Sequence, residues 1–356
     1  RRASILVLRR QLRPRPMKRS RSEHDAFGSQ SREGYYAGPD AITDSNADDV
    51  SEPRIQLHAA FGESRSGGAA VSWSLSELPA EKVAEQMSGL SGRYTGKTCI
   101  VTGGGRGIGE GCVRVFFEAG ANVCIADRDL AGATALCDEL NKRTTTTSQR
   151  AVAVRTDVSV TAELEQLVAT TVDTFGRIDC VINNAGWHPP HKAIDDFSSD
   201  DMQNLMQLNF ISAFALCKFA LPHVRKVEGN IINISSFAGT FGQGKACTYA
   251  ATKGALTSFT KALAIDEAAH RVRVNAVAPG NIWTPLWKAG ADADADPVAA
   301  REAGERSQAM GRMGSILETG RLCLCIAADL TFTTGVEHLQ TGGAEVGYGL
   351  KPGLDK

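Results

Sequence analysis

Residues 97–120 read KTCIVTGGGRGIGEGCVRVFFEAG and combine three local patterns. A short apolar run of strand length comes first, closely spaced glycines follow, and the stretch ends with apolar residues at helical spacing. Glycines between a strand and a helix permit a sharp turn and let a ligand approach the backbone closely. The stretch therefore predicts a strand, turn and helix, with an anion-binding position at the N-terminus of the helix.

The same alternation of strand-length and helix-length segments continues towards the C-terminus. The further strand candidates are NVCIAD, AVAVRTDV, IDCVINNAG, NIINIS, VRVNAVAPG and VEHLQTGG, and amphipathic segments of helix length lie between most of them. Strands that alternate with helices favour a parallel sheet with helices on both faces. We therefore predict an α/β fold for this part of the chain.

Residues 1–93 differ in composition from the rest of the chain. Residues 1–22 contain eight arginines, one lysine and no acid, and residues 23–93 are rich in Ser, Gly, Asp, Glu and Ala with little apolar periodicity. Such a composition buries too little apolar surface to offset the entropy of ordering. We predict a disordered, low-complexity extension over 1–93, a folded domain over 94–350 and a short tail over 351–356.

Charge and cysteine content bear on the partners and the compartment. The formal net charge of -1 gives no general reason to expect nucleic acid as a partner. The nine cysteines form no CxxC pair and no zinc-binding spacing, which favours a reducing compartment. We find no apolar run of the roughly 20 residues that span a membrane. We expect a cytoplasmic (cytosolic) protein, although the basic start is also compatible with a mitochondrial transit peptide.

The context of the glycines predicts a dinucleotide site. Asp127 ends the second predicted strand, about 20 residues beyond the glycines, where a carboxylate accepts hydrogen bonds from an adenosine ribose. A carboxylate there favours NAD, because it repels the 2′-phosphate of NADP. Arg106 and Arg128 are either contacts for such a phosphate or solvated loop residues. Asp157, after the third strand, is either an adenine contact or a turn residue that caps the next helix.

A serine, a tyrosine and a lysine form the second group of candidate residues. Tyr249 and Lys253 are four residues apart at the start of a helical segment, so both project from one face. We expect the lysine ammonium to lower the pKa of the tyrosine towards working pH, which lets the phenol take a proton from an alcohol. Ser236 follows the preceding strand and is placed to hold the substrate oxygen. Hydride would then pass from the carbinol carbon to a nicotinamide.

These motifs together resemble the classical short-chain dehydrogenase/reductase family. The resemblance covers about residues 94–350 and rests on TGGGRGIG, on NNAG, on a serine thirteen residues before the tyrosine of YxxxK, and on PGNIWTP. It implies a Rossmann-type, doubly wound parallel sheet of about seven strands with helices on both faces, and a catalytic Ser-Tyr-Lys set. It also implies Asn209 as a fourth catalytic residue, whose helix opens locally so that water links Lys253 to solvent.

The resemblance also implies a set of contacts with the dinucleotide. Asn184 would lie beside the ribose, and Thr284 and the backbone around Ile282 would lie at the nicotinamide carboxamide. The predicted cofactor-binding set is Gly103, Arg106, Gly107, Ile108, Gly109, Asp127, Asp157, Val158, Asn184, Tyr249, Lys253, Gly280, Ile282 and Thr284. The predicted cofactor is NAD.

A narrower resemblance within the family concerns the substrate. RYTGK, NNAGWHPPH, GNIWTPLW and TGGAEVGYG are similar to members that oxidise 17β-hydroxysteroids such as estradiol, or L-fucose. Candidate substrate residues are His188, Gln243, Trp287 and Tyr348. His188 suits a role in capping its loop equally well, and Trp287 suits a role in packing equally well. No cluster of ligands predicts a metal site. The alternative functions are an NADPH-dependent carbonyl reductase and a non-catalytic dinucleotide-binding protein.

The broad apolar faces of the helices around 200–226 and 248–268 have two interpretations. They either cover the sheet or pair subunits, and the family typically uses these helices to form tetramers. We therefore expect a homotetramer that acts on a small alcohol.

Overall fold

The computed structural model describes residues 78–144 and 149–346. Seven parallel strands form one sheet in the order β3-β2-β1-β4-β5-β6-β7, which confirms the predicted fold class. The strand order reverses between β1 and β4, so the carboxyl ends of the strands leave a crevice there. The strands are β1 (Thr98–Thr102), β2 (Asn122–Asp127), β3 (Ala151–Arg155), β4 (Cys180–Asn183), β5 (Asn230–Ile234), β6 (Arg273–Pro279) and β7 (Glu337–Gln340).

Helices cover both faces of the sheet. The main helices are α1 (Ala80–Met87), α2 (Gly107–Glu118), α3 (Leu130–Arg143), α4 (Thr161–Phe175), α5 (Ser199–Met206), α6 (Ser212–Val224), α7 (Phe237–Phe241), α8 (Cys247–Asp266), α9 (Pro285–Asp292), α10 (Pro297–Arg306) and α11 (Ile316–Ala328). Apolar residues of α2, α3 and α11 form one core with the sheet, and those of α4, α6 and α8 form the other. Because both faces are covered, β1 is buried at all five positions, as expected for a central parallel strand.

Helix α1 lies inside the segment that the sequence predicted to be disordered, so that prediction is wrong for residues 78–93. Val83 and Met87 pack against the core, and Leu90 is completely buried. The guanidinium of Arg321 in α11 donates to the carbonyl oxygens of Gln86 and Ser88, at 2.6 and 3.0 Å. The apolar residues of this segment have helical spacing, but the pattern extends over only about two turns. The polar residues on either side made it indistinct in the sequence. The rest of the predicted extension and residues 347–356 lie outside the described residues.

One helical segment is longer and more apolar than the sequence led us to expect. Ser199–Val227 forms a continuous helical segment with the length and composition to cross a membrane. Half of its most apolar window is buried inside the fold, and Leu216, Cys217 and Ala220 pack in the core beside α4 and the sheet. Core helices of soluble proteins also have this length and composition. The packing of Ser199–Val227 inside the fold therefore accounts for its apolar character.

We expect Leu90→Ala to lower the free energy of unfolding by about 2–5 kcal/mol, because it removes a fully buried side chain and leaves a cavity. The matched control is Leu286→Ala, since the side chain of Leu286 is half exposed. Urea denaturation of the two variants and the parent checks this prediction. Equal stabilities for the two variants would mean that residues 78–93 do not pack as the structure shows.

Candidate active site

The turn after β1 lies at the crevice and has a geometry that requires glycine. Gly103 and Gly107 have φ values of 60° and 58°, in the left-handed region that favours glycine. A Cβ on Gly109 would lie 2.0 Å from the carbonyl oxygen of Gly103, so only glycine fits at this contact. Helix α2 begins directly after the turn, and the side chain of Arg106 makes no capping hydrogen bond. Its first N–H groups therefore remain oriented towards the crevice, while Ile108 packs against the core.

Asn184 supports this turn from the end of β4. Its side-chain Nδ2 donates to the carbonyl oxygens of Thr102 and Gly103, at 2.8 and 3.1 Å. Its backbone N–H donates to the hydroxyl of Thr102 at 3.0 Å. The structure therefore places Asn184 at the predicted site, but its amide nitrogen holds the glycine turn in place. A contact with a ribose would be left to its side-chain oxygen.

Asp127 lies at the carboxyl end of β2 and is 8% exposed. Its two carboxylate oxygens accept hydrogen bonds from the backbone N–H groups of Gly105 and Asp129, both at 3.0 Å. These bonds fix the carboxylate beside the glycine turn. Arg106 and Arg128 are both exposed at the edges of the same crevice.

Asp157 forms a local turn after β3. Its Oδ1 accepts hydrogen bonds from the backbone N–H and the hydroxyl of Ser159, at 3.0 and 2.6 Å. This is a turn role, as the alternative to an adenine contact proposed, but Asp157 does not cap α4, whose N-cap residue is Val160. The next residue, Val158, is buried in the core.

Ser236, Tyr249 and Lys253 come together at the carboxyl end of β5. Ser236 caps α7, because its hydroxyl accepts from the N–H of Ala238 at 3.2 Å. Lys253 is 4% exposed, and its Nζ lies 5.9 Å from the centre of the Tyr249 ring. The same Nζ donates to the carbonyl oxygen of Ile234, the last residue of β5, at 2.7 Å. The neighbouring Ser235 bonds instead to the backbone of α8, so it has a structural role.

The pKa of Tyr249 shifts in the direction opposite to our expectation. Burial of its ring raises the pKa, and a hydrogen bond with Ser236 only partly opposes this effect. Burial also lowers the pKa of Lys253 to about 8. Sequence spacing predicted the approach of the lysine correctly, but it carries no information on how strongly burial disfavours both charged forms.

Asn209 lies in a π-helical turn, Gln207–Ile211, between α5 and α6. The turn is the local opening that the resemblance implied. Asn209 Oδ1 accepts from the backbone N–H of Trp187 at 2.9 Å, and its Nδ2 donates to the Trp187 carbonyl oxygen at 2.9 Å and to the Thr252 hydroxyl at 3.1 Å. Asn209 therefore joins the loop after β4 to α8, one residue before Lys253.

The turn after β6 forms the opposite wall of the crevice. Thr284 packs closest to the glycine turn, because a Cβ on Gly107 would lie 3.7 Å from its side chain. Its hydroxyl accepts from the N–H of Trp287 and so caps α9, at 3.2 Å. Ile282 is buried, and a Cβ on Gly280 would lie 2.7 Å from Gln308 Oε1. The predicted cofactor residues that follow β1, β4 and β6 and the one that ends β2 thus border one crevice, together with Lys253 of α8.

Two of the candidate substrate residues contact the tyrosine region. The rings of His188 and Tyr249 lie 4.2 Å apart between centres. His188 Nε2 lies 3.0 Å from Gln243 Oε1, and Gln243 Nε2 lies 3.1 Å from His191 Nε2. His191 is not among the predicted site residues; its place in the sequence HPPH was the available signal. Tyr348 lies outside the described residues.

Trp287 packs within the segment that follows β6. Its indole N–H donates to Asn281 Oδ1 at 3.2 Å, and its ring fills the position where Gly304 has no side chain. Asn281 Nδ2 also donates to the Gly304 carbonyl oxygen and the Ser307 hydroxyl, both at 2.9 Å. This is the packing role that the sequence left open for Trp287. Asn281, which the sequence analysis did not select, joins α9 and α10 to the end of β6.

Metal ligands do not cluster in the described ranges. Neither residues 78–144 nor residues 149–346 contain a group of three His, Cys, Asp or Glu side chains arranged to hold an ion. The nine cysteines all lie within these ranges and are free thiols, most of them buried.

Known proteins are similar to this chain in both sequence and fold. Residues 97–295 match the family model described as short chain dehydrogenase. The chain is 48% identical to the L-fucose dehydrogenase of Rattus norvegicus over 260 residues, which cover 73% of this chain and 93% of the relative. It is also 48% identical to the L-fucose dehydrogenase of Bos taurus over 261 residues, 73% of this chain and 94% of that protein.

A solved structure shows the same architecture. The crystal structure of 3-ketoacyl-(acyl-carrier-protein) reductase from Brucella melitensis, complexed with NADH, superimposes with a TM-score of 0.63 at 27% sequence identity. The match covers 71% of this chain and 100% of that chain.

We expect the wild-type protein to gain stability relative to Lys253→Met as pH rises from about 8 to about 10. An unfolded lysine keeps its proton over this range, whereas burial makes folded Lys253 lose it at about pH 8. The unfolded state then binds more protons, so the free energy of unfolding of the wild type increases with pH. Urea denaturation of both proteins across this range measures the difference, and a constant difference would contradict the lowered pKa.

Proposed function

Because the chain belongs to the short-chain dehydrogenase/reductase family, we propose that it oxidises the anomeric hydroxyl of a sugar of the L-fucose class with NAD. The observation that carries the proposal is the meeting of Ser236, Tyr249 and Lys253 at the carboxyl end of β5. An oxidoreductase of this family needs a proton acceptor next to the dinucleotide, and this group supplies one. The identity with L-fucose dehydrogenases over most of both chains supports the substrate class.

Each of the three residues has a distinct proposed role. The hydroxyls of Ser236 and Tyr249 hydrogen-bond the substrate oxygen, and Tyr249 takes its proton. Lys253 is buried on the same helix face, and its ammonium form favours the phenolate. Bound NAD supplies the hydride acceptor. Asn209 holds the loop after β4 against α8, which keeps the lysine and the tyrosine in place.

The residues around the crevice fit a dinucleotide. Glycine at position 109 lets the turn after β1 pack directly against the start of α2. The first N–H groups of α2 then favour negative charge such as that of a phosphate. The fixed carboxylate of Asp127 supports NAD over NADP, because it would repel a 2′-phosphate. NADPH-dependent carbonyl reduction is the second candidate, and the exposed arginines Arg106 and Arg128 are the observation that favours it.

The polarity of the substrate end supports a sugar. His188 and Gln243 present hydrogen-bonding groups next to Tyr249, whereas Trp287 is engaged in packing. A 17β-hydroxysteroid is the second candidate substrate. The exposed apolar side chains of Leu286 in α9 and Met310 after α10 favour it.

We also propose that the protein assembles through the helices that flank the site. Phe214 of α6 and Ile265 of α8 are 47% and 77% exposed, and large apolar side chains on a surface favour association. This feature supports the expected homotetramer. A cytosolic location remains our proposal for the same protein.

The substrate proposal predicts that the purified protein forms NADH faster with L-fucose than with estradiol. Tyr249→Phe should lower kcat by about 10²- to 10⁴-fold, because it removes the proton acceptor and keeps the ring. The matched control is Tyr94→Phe, since Tyr94 is buried against α2 on the other side of the sheet. Binding of dinucleotide without turnover of any alcohol or carbonyl compound would instead indicate a non-catalytic binding protein.

The cofactor proposal predicts that Asp127→Ala lowers kcat/KM for NAD by about tenfold and raises it for NADP. The variant loses the carboxylate that favours the ribose and repels the phosphate. Steady-state kinetics with each dinucleotide measure both values, and Asp138→Ala serves as a control because Asp138 is an exposed carboxylate of α3. A wild-type preference for NADP would overturn the proposal.

A further inference from the structure

The amide of Gln243 lies between two imidazole rings. Its Oε1 is 3.0 Å from His188 Nε2, and its Nε2 is 3.1 Å from His191 Nε2. The two rings are themselves in edge contact, with their centres 5.2 Å apart. His188 then contacts the Tyr249 ring at 4.2 Å. A chain of side-chain contacts therefore leads from the exposed His191 to the tyrosine.

Hydrogen-bond chemistry makes these three side chains interdependent. His188 Nδ1 lies 2.6 Å from the carbonyl oxygen of Pro189, which can only accept, so this nitrogen carries a proton. With Gln243 Oε1 facing His188, the other ring nitrogen of His188 must donate as well. The amide nitrogen then donates to His191, which must present a lone pair. A reversed amide would require His188 Nε2 to accept a hydrogen bond and His191 Nε2 to donate one.

An amide has one donor end and one acceptor end, so it cannot present the same end to both rings. The hydrogen bond that His191 makes therefore decides which end of Gln243 faces His188. Desolvation, together with the charges of His188 and Lys245, lowers the pKa of His191 and so favours a neutral ring with one lone pair. Such a ring can accept the amide N–H that the structure shows.

The backbone holds the two loops together independently of these side chains. The N–H of Lys192 donates to the carbonyl oxygen of Lys245 at 2.9 Å. Within the second loop, the N–H of Ala246 donates to the carbonyl oxygen of Gln243 at 3.3 Å and so fixes the backbone of Gln243. Replacement of the His191 side chain thus leaves the loops joined and affects the orientation of the amide.

We propose that His191 is a positioning residue for the alcohol-binding end of the site, which acts through Gln243 to fix the hydrogen bonding of His188 beside Tyr249. The inference rests on the proposed function, because it assigns this end of the crevice to the alcohol. Without His191 the amide can rotate, and His188 loses a fixed partner. Binding of the alcohol should weaken, whereas binding of NAD, on the other side of Tyr249, should not.

Kinetics of three variants test the proposal. We expect His191→Ala to raise KM for L-fucose about three- to tenfold, the effect of one lost hydrogen bond, with KM for NAD unchanged. His191→Gln should restore KM to within about twofold of the wild type, because its amide can donate or accept. His270→Ala is the matched control, since His270 is an exposed histidine just before β6, away from the crevice. An unchanged KM in His191→Ala, or no rescue by glutamine, would overturn the inference.

A readout without turnover separates this inference from the proposed function. Nitrogen NMR of the histidine rings reports which ring atoms carry protons, and the chain has only seven histidines. The ring-nitrogen shifts of His188 should change in His191→Ala and return towards the wild-type values in His191→Gln. Unchanged shifts in His191→Ala would overturn the positioning role. Failure of the wild type to oxidise any alcohol, with the shifts changed as expected, would overturn only the proposed function.

Discussion

The hydrogen bond from Lys253 Nζ to the carbonyl oxygen of Ile234 is the interaction on which the site depends. It joins α8 to the last residue of β5, at the edge of the sheet where the strands end. Because Lys253 is 4% exposed, this polar bond satisfies a group that would otherwise be buried at high cost. The bond fixes the turn of α8 that carries Tyr249, and the end of β5 carries Ser236. The distance between the two hydroxyl-bearing residues is therefore set by a rigid element on each side.

Asn209 extends the same framework to the loop after β4. Its side-chain amide bonds to both the N–H and the carbonyl oxygen of Trp187, as the backbone of a neighbouring strand would. Its third hydrogen bond reaches the hydroxyl of Thr252 in α8. An ordinary α-helical turn would place residue 209 differently, since a π-helical turn adds one residue to the repeat. The irregular turn thus has a structural explanation in this chain: it directs one buried amide at two elements of the site.

The sequence predicted those features of the site that depend on local pattern. Alternating apolar segments define the strands, and glycines and a carboxylate at fixed spacing mark the turn after β1 and the end of β2. A spacing of four places Tyr249 and Lys253 on one helix face. The direction of the Tyr249 pKa shift could not be obtained in this way, because burial depends on residues far apart in the chain. Helix α1 was missed for a related reason, since its stability comes from packing on α11.

The loop residues of the site are held in place differently from Ser236, Tyr249 and Lys253. Ser236, Tyr249 and Lys253 follow or lie in sheet-anchored elements, where the geometry is set by buried hydrogen bonds. His188 and Gln243 lie in loops, and each is oriented by the other. A change in one loop residue therefore alters the orientation of its loop partner and leaves the hydrogen bond of Lys253 to β5 in place. The sequence predicts Ser236, Tyr249 and Lys253 from their spacing within rigid elements, but the contacts between His188 and Gln243 form only when the two loops are folded against each other.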